Sequence, residues 1–301
     1  MNATATPPAD GTVKIWFDAA RPKTLSAAVA PVMMAAAMAH DAGVFAWPAT
    51  LLCLLAAVSV QIGTNFVNDY CDFCKGADTA DRHGPVRACA AGLVTPIAMR
   101  NASILAFAVT LAAGIGLTII AGWPFLPITI LGILCGAAYT AGPFPLGYNG
   151  LGDLFAFLFF GPVAVMATWY SQAGTLPTDL WLAGLAPGCY SVALIAVNNL
   201  RDADEDRTTD KRTLAVLLGK NFARFEYAAC IIVAAVIPVI LVLRTEGHVF
   251  AALAATLAIP GLVAARLLFQ LKGKQLNRIL AATGAMMLMH AIVFSCGWIV
   301  G

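Results

Sequence analysis

The chain has 301 residues, of which 60% are apolar and only 11% charged, with a net charge of +2. Soluble domains carry about 25% charged residues, so a water-soluble globular fold is excluded. About 180 apolar positions are enough for nine membrane crossings of roughly 20 residues each, which predicts an all-α, polytopic membrane protein surrounded by lipid bilayer, with no nucleic acid among its partners.

Residues 1–23 form a polar N-terminal segment without the apolar core of a signal peptide. Within it, Val13, Ile15, Trp16 and Phe17 suit a membrane surface. A single transmembrane domain is predicted from 24 to 301. Its apolar spans fall at roughly 24–40, 45–67, 101–121, 124–141, 151–171, 180–198, 222–243, 248–270 and 278–300. With nine spans, seventeen of the eighteen Lys and Arg residues lie on one side, and only Arg244 lies on the other. The positive-inside bias places that side, with the N-terminus, in the cytoplasm of a cell whose inner membrane holds the protein.

Two stretches on the basic side carry the chemistry. The first, NFVNDYCDFCKGADTADRHGPVR, runs from Asn65 to Arg87 at the polar end of the second span. The second, around NNLRDADEDRTTDKRT, follows the sixth span; sliding the first onto it by 130 residues puts Asn68 on Asn198 and Asp72 on Asp202. Both are expected to be loops. Acids three or four apart share a helical face, and two carboxylates about 5 Å apart repel by roughly 3 kcal/mol at an effective dielectric of about 20. Such clusters call for cations. Asp69 with Asp72, and Asp202 with Asp206, have the spacing for Mg²⁺, a hard ion that takes oxygen ligands and bridges to phosphates. Asn68 and Asn198 offer amide oxygens, while Lys75, Arg82, Arg87, Lys211 and Arg212 are candidates to hold a diphosphate. The bland alternative is a pair of solvated loops marking a membrane boundary, but the repeated N-x-x-x-D pattern argues against it. The Cys71-x-x-Cys74 pair has no second pair, so a structural zinc site, which needs four ligands, is not expected.

These residues carry a resemblance. NDYCDFCKGADTADRHGPVR and NNLRDADEDRTTDKRT are similar to the two aspartate-rich motifs of the UbiA superfamily of intramembrane aromatic prenyltransferases. RPKTLSAAVAPV from Arg21, YTAGPFPLGYNGLGDLFAFLFFGPVAV from Tyr139 and NNLRDADEDRTTDKRTLAVLLG resemble its 1,4-dihydroxy-2-naphthoate polyprenyltransferase (MenA) branch. The resemblance implies nine helices around a central cavity with a lateral opening for a prenyl tail. It also implies Mg²⁺ at the aspartate motifs, polyprenyl diphosphate as donor and 1,4-dihydroxy-2-naphthoate as acceptor, which loses its carboxylate to give a demethylmenaquinone. By position, Asn68, Asp69 and Asp72 match the first motif, and Asp202 and Asp206 the second. Gly76 stands where the wider family has a further acid, which leaves open whether Asp78 ligates Mg²⁺ directly or through water.

Further candidates follow from position. Arg21 and Lys23 open the first span and can meet the acceptor's carboxylate or simply anchor the chain at the interface. Tyr139, Tyr148, Asn149 and Asp153 lie near the same membrane face. An acid at the edge of a membrane helix is costly, so Asp153 is expected either to orient the acceptor hydroxyl or take its proton, or to cap a helix. After Tyr139 there is no Lys before Asp153, which disfavours the benzoate-type acceptor, the alternative within the family. A transporter would put its carboxylates near the midplane; a non-catalytic metal- or lipid-binding protein is the remaining alternative.

Overall fold

The computed structural model describes residues 9–76, 84, 86–245 and 247–301. Among these the regular structure is helical. A short lead-in, α1 (Ala9–Ala19), precedes α2 (Ser26–Asp41), α3 (Trp47–Cys74), α4 (Pro96–Ala121) and α5 (Phe125–Ala138). Then come a kinked α6 (Gly152–Ala173), α7 (Asp179–Thr208), the single turn α8 (Leu214–Leu217), α9 (Lys220–Thr245), α10 (Val249–Leu267) and α11 (Leu276–Val300).

Nine apolar helical segments thus appear in the predicted order among the described residues. Seven are long and apolar enough to cross a membrane singly, and α2 joins them when counted with the lead-in from which it bends by 55°. The ninth, α5, has 14 residues, about 21 Å at 1.5 Å per residue, against a hydrocarbon core of about 30 Å. The prediction is corrected at two helix ends. α3 continues to Cys74 and α7 to Thr208, so Asn68, Asp69, Asp72, Asp202 and Asp206 sit on helix rather than in loops. Helix persists there because the acids are paired, as described below. α4 begins at Pro96, where the Thr95 hydroxyl accepts from the Ala98 N–H at 3.2 Å and Pro96 fills the first turn without a missing donor.

α7 forms the centre. Ala183, Ala186, Ala193, Ala196 and Val197 are all buried along it, and small residues allow the close helix approach that membrane packing requires. Its tightest contact is with the kink of α6. The Phe159–Val163 segment widens into a π-turn in which Gly161 leaves helical geometry (φ −119°, ψ −110°). A Cβ at Gly161 would lie 2.6 Å from the Gly184 carbonyl oxygen and 2.8 Å from Gly188 Cα. Neither backbone atom can move aside as a side chain would. Gly161→Ala should therefore lower stability by about 1–3 kcal/mol, measured as a fall in thermal unfolding temperature in detergent.

Charge divides along the bundle axis as the sequence predicted. Arg244 Nε pairs with Asp179 Oδ1 at 2.8 Å at the start of α7. Asp202 lies near the other end of α7, about 35 Å further along.

Candidate active site

The two motif segments meet at one end of the bundle. Asp72, 1% exposed, places Oδ2 2.9 Å from Arg87 Nη2 and 3.0 Å from Lys211 Nζ, while its Oδ1 accepts from Tyr148 Oη at 2.7 Å. Lys211 belongs to the second motif, 139 residues away. One carboxylate therefore joins both acid-and-base segments at one end of the bundle, as their repetition in sequence implied.

Asp202 is held differently. Arg201 donates from Nε to Asp202 Oδ1 at 2.7 Å and from Nη2 to Oδ2 at 2.6 Å. The same guanidinium reaches Asn198 Oδ1 and Asn277 Oδ1, both at 2.6 Å. Such a planar fork suits bidentate recognition of a carboxylate. Arg201 thus sets the rotamers of both motif residues on α7 and ties them to the first turn of α11. Asp206 is buried on the next turn, and its carbonyl accepts the Lys211 N–H at 3.0 Å, which curls the chain back toward Asp72.

Asp69 behaves unlike its neighbour. Its Oδ2 accepts from the Ala88 N–H and its Oδ1 from the Cys89 N–H, both at 3.0 Å. It is 2% exposed. Three-residue spacing suggests that Asp69 and Asp72 share one ligand; here both Asp69 oxygens accept backbone N–H bonds, whereas both oxygens of Asp72 and of Asp202 are held by side chains. Asp69 anchors the start of the segment that carries Arg87. Asn68 Oδ1 accepts from Thr140 Oγ1. Lys75 Nζ donates to the Thr140 carbonyl at 2.6 Å and lies 4.4 Å from the Tyr148 ring centroid; Lys211 Nζ lies 4.8 Å from the same centroid. Arg212 presents its backbone N–H to Tyr148 O at 2.8 Å and leaves its side chain exposed.

A cavity of about 220 Å³ opens beside this cluster. Arg21, Asn65, Asn68, Tyr139 and Asn198 line its polar end. Ala57, Val60, Gly132, Phe159, Ala164 and Ile195 line the apolar remainder. From Asn68 to Ala57 along α3 the depth is about 16 Å. Arg21 has a left-handed backbone (φ 56°), a conformation disfavoured for non-glycine residues. It is stabilised by Thr24, whose N–H and hydroxyl both bond to the Arg21 carbonyl, and by Asn65 Nδ2 on the Ala20 carbonyl at 3.0 Å. Lys23 is exposed and not part of the lining, so of the two predicted acceptor-binding cations the structure brings only Arg21 to the cavity. Asn149 is likewise elsewhere, its Nδ2 bonded to the Pro145 carbonyl at 2.8 Å in its own turn.

Tyr139 reaches back over the following turn; a Cβ at Gly152 would sit 2.7 Å from its Oη. The next residue, Asp153, is 5% exposed, and its Oδ1 is buried with no hydrogen-bond partner among the described residues. Leu151 is the N-cap, and Asp153 stands in the first turn of α6 with its carboxylate bonded to its own backbone N–H. Asp78 and Arg82 lie outside the described residues.

Sequence reasoning placed Tyr148 at this membrane face without giving it a role, and missed Arg201 and Asn277 as site residues. Arg201 sits inside the second motif but reads as one basic residue among many, and Asn277 carries no signal.

The donor set at this end of the bundle is all oxygen: the amides of Asn68 and Asn198 on the cavity wall, with the carboxylates of Asp72, Asp202 and Asp206 behind them. That chemistry suits a hard divalent cation. Among the described residues, no three acidic, His or Cys side chains converge into a ready metal cage, so waters or phosphate oxygens must complete any coordination.

A largely apolar chamber inside a polytopic helical bundle, with Asn68 and Asn198 at its polar end and the acids and cations of both motifs alongside, defines an integral membrane protein with an enclosed polar-to-apolar site. The chain belongs to the UbiA prenyltransferase family, which it matches over residues 28–292. It is 38% identical over 283 residues to a 1,4-dihydroxy-2-naphthoate octaprenyltransferase of Mycobacterium tuberculosis, covering 92% of this chain and 94% of that one. It is 39% identical over 228 residues to the protein of the same description from Escherichia coli, covering 74% of each. A UbiA homolog from Archaeoglobus fulgidus, solved bound to GPP and Mg²⁺, shares the fold with a TM-score of 0.66 at 14% identity, over 95% of this chain and 100% of that one.

Proposed function

We propose that this protein transfers a polyprenyl group from its diphosphate to 1,4-dihydroxy-2-naphthoate, releasing CO2 and diphosphate and giving the quinol form of a demethylmenaquinone. The observation that carries this reading is the Asp72–Lys211 contact, which joins the two motifs next to a cavity lined by Asn68 and Asn198. The relatives' shared activity selects the acceptor.

The residues divide the work by chemistry. Asn68, Asp72, Asn198, Asp202 and Asp206 would hold Mg²⁺, which when bound supplies Lewis-acid stabilisation of the departing diphosphate. Lys75, Arg87 and Lys211 offer cations to the phosphate oxygens, in a water-poor site where charge stabilisation is strongest. Arg212 extends that basic edge; by their place in the first motif, Arg82 is assigned to the diphosphate and Asp78 to Mg²⁺. The bond between the prenyl C1 and the diphosphate oxygen breaks, and the electron-rich ring attacks the allylic carbon. Loss of the ring carboxylate as CO2 restores aromaticity, so no oxidant is required. Arg21 is placed to hold that carboxylate. Tyr139 and the buried Asp153 orient the acceptor hydroxyl and take up its proton during the attack, returning it to the quinol oxygen once CO2 has left. The apolar walls exclude water from the cation. The site faces the cytoplasm from the inner membrane, with segment 1–23 on the same side and residues 24–301 acting as one transmembrane domain.

The test uses the purified full-length chain in liposomes with Mg²⁺, a polyprenyl diphosphate and 1,4-dihydroxy-2-naphthoate. Mass spectrometry should find the prenylated, decarboxylated naphthoquinol, formed one-for-one with diphosphate. Product from 4-hydroxybenzoate but none from the naphthoate would overturn the acceptor assignment, and no diphosphate release with either would overturn the enzyme.

A further inference from the structure

We propose that Gly132, facing Phe159, gauges the isoprenoid tail: its missing side chain keeps open the passage along which a long donor chain runs. This rests on the prenyl-transfer reading above and specifies which part of the cavity discriminates between donors.

Two glycines on α5 line the cavity, Gly132 and Gly136, and they are glycine for different reasons. A Cβ at Gly136 would strike Thr64 Oγ1 at 2.5 Å, so that position is small because α3 packs against it. A Cβ at Gly132 would meet only the edge of the Phe159 ring, at 3.9 Å, an ordinary van der Waals contact. Packing therefore does not require glycine at 132. Glycine inside a helix is less stable than alanine by about 0.5–1 kcal/mol, and φ at 132 is not in the left-handed region. What a side chain there would take away is cavity space.

The opposite wall supports the same reading. Phe159 opens the π-turn forced by the Gly161 contact with α7, and its ring stacks on Phe155 with centroids 6.3 Å apart and planes 11° apart. π-turns inside helices recur where a side chain must be re-aimed at a functional site. The stacked rings form an aromatic shelf beside the bare face of α5. Gly132 lies about 10 Å deeper than Tyr139 along the helix axis. A side chain at 132 would therefore enter the cavity past the first isoprene units of a chain whose diphosphate sits at the Asn68–Asn198 rim. A short donor ends before that level, whereas a long one runs beside it.

Steady-state kinetics with geranyl diphosphate and octaprenyl diphosphate, on wild type and on Gly132→Leu, test this. The ratio of kcat/KM for the long donor over the short one should fall by about tenfold or more in the variant, the scale on which apolar pockets discriminate by size. The double variant Gly132→Leu/Phe159→Ala, which returns volume at the same point, should recover most of the ratio. Thermal unfolding of each variant in detergent identifies any that does not fold; should Gly132→Leu fail there, Gly132→Val carries the same expectation. An unchanged ratio in a folded variant that turns over either donor overturns the gauge. Absence of transfer by wild type with both donors instead overturns the prenyl-transfer reading, so the two failures are distinguishable.

Discussion

Replacing Asp72 by alanine should reduce turnover by about 10² to 10³-fold, the usual loss when one charge-stabilising group leaves a water-poor site. Three partners converge on this carboxylate: Arg87, Lys211 and the Tyr148 hydroxyl. Its removal leaves the 7%-exposed Arg87 and the neighbouring Lys211 facing each other without the anion between them. The two loops should then separate as well as lose a ligand. Asp72→Asn distinguishes these effects. It keeps an oxygen for Tyr148 and nearly the same volume, so expression and thermal stability should stay closer to wild type while turnover is still lost. Asp69→Asn provides the contrast. Asp69 is bonded to the Ala88 and Cys89 amides, and the amide variant can satisfy only one of them, leaving a buried donor unmatched at a cost of about 1–3 kcal/mol. The Arg87 segment should loosen and KM for the donor diphosphate should rise, with kcat much less affected. A kcat loss in Asp69→Asn equal to that in Asp72→Ala would place Asp69 among the groups acting directly on the diphosphate.

The largest effect on stability is expected at Arg201. Its side chain is 1% exposed and makes four hydrogen bonds, two to Asp202 and one each to Asn198 and Asn277. Arg201→Leu leaves a buried carboxylate uncompensated, which destabilises by about 3–5 kcal/mol. Replacing both members of a buried pair by apolar groups is often close to neutral. The double variant Arg201→Leu/Asp202→Leu should therefore unfold at a higher temperature in detergent than Arg201→Leu alone, while remaining inactive because Asp202 is gone. If the single variant melted with wild type, the fork would contribute nothing to holding α7 against α11.

The sequence was most informative where physics acts locally. Apolar runs of membrane length disclosed the helices, and the uneven placement of Lys and Arg told the two ends of the bundle apart, with Arg244 alone at the far one. Repetition of Asn and Asp at a 130-residue offset identified Asn68, Asp72, Asn198 and Asp202. Helix ends were misread because a hydropathy pattern stops where the apolar residues stop. The backbone continues helical for as long as paired side chains support it, as Arg201 does for Asp202. Asp69 shows the same gap in another form. Spacing says which face a side chain shares, but the amides that claim it belong to a segment that returns about twenty residues later.

Composition, periodicity and charge placement by themselves determined an all-helical membrane protein with two matched acidic segments on one side. These properties follow from the transfer of individual side chains between water and lipid. Only the tertiary structure decided which cation each carboxylate holds, that Tyr148 stands between Lys75 and Lys211, that Arg21 rather than Lys23 reaches the cavity, and that Gly132 is bare without a packing reason. Those outcomes depend on distances between residues far apart in the chain, set by how helices pack, and no local pattern encodes them.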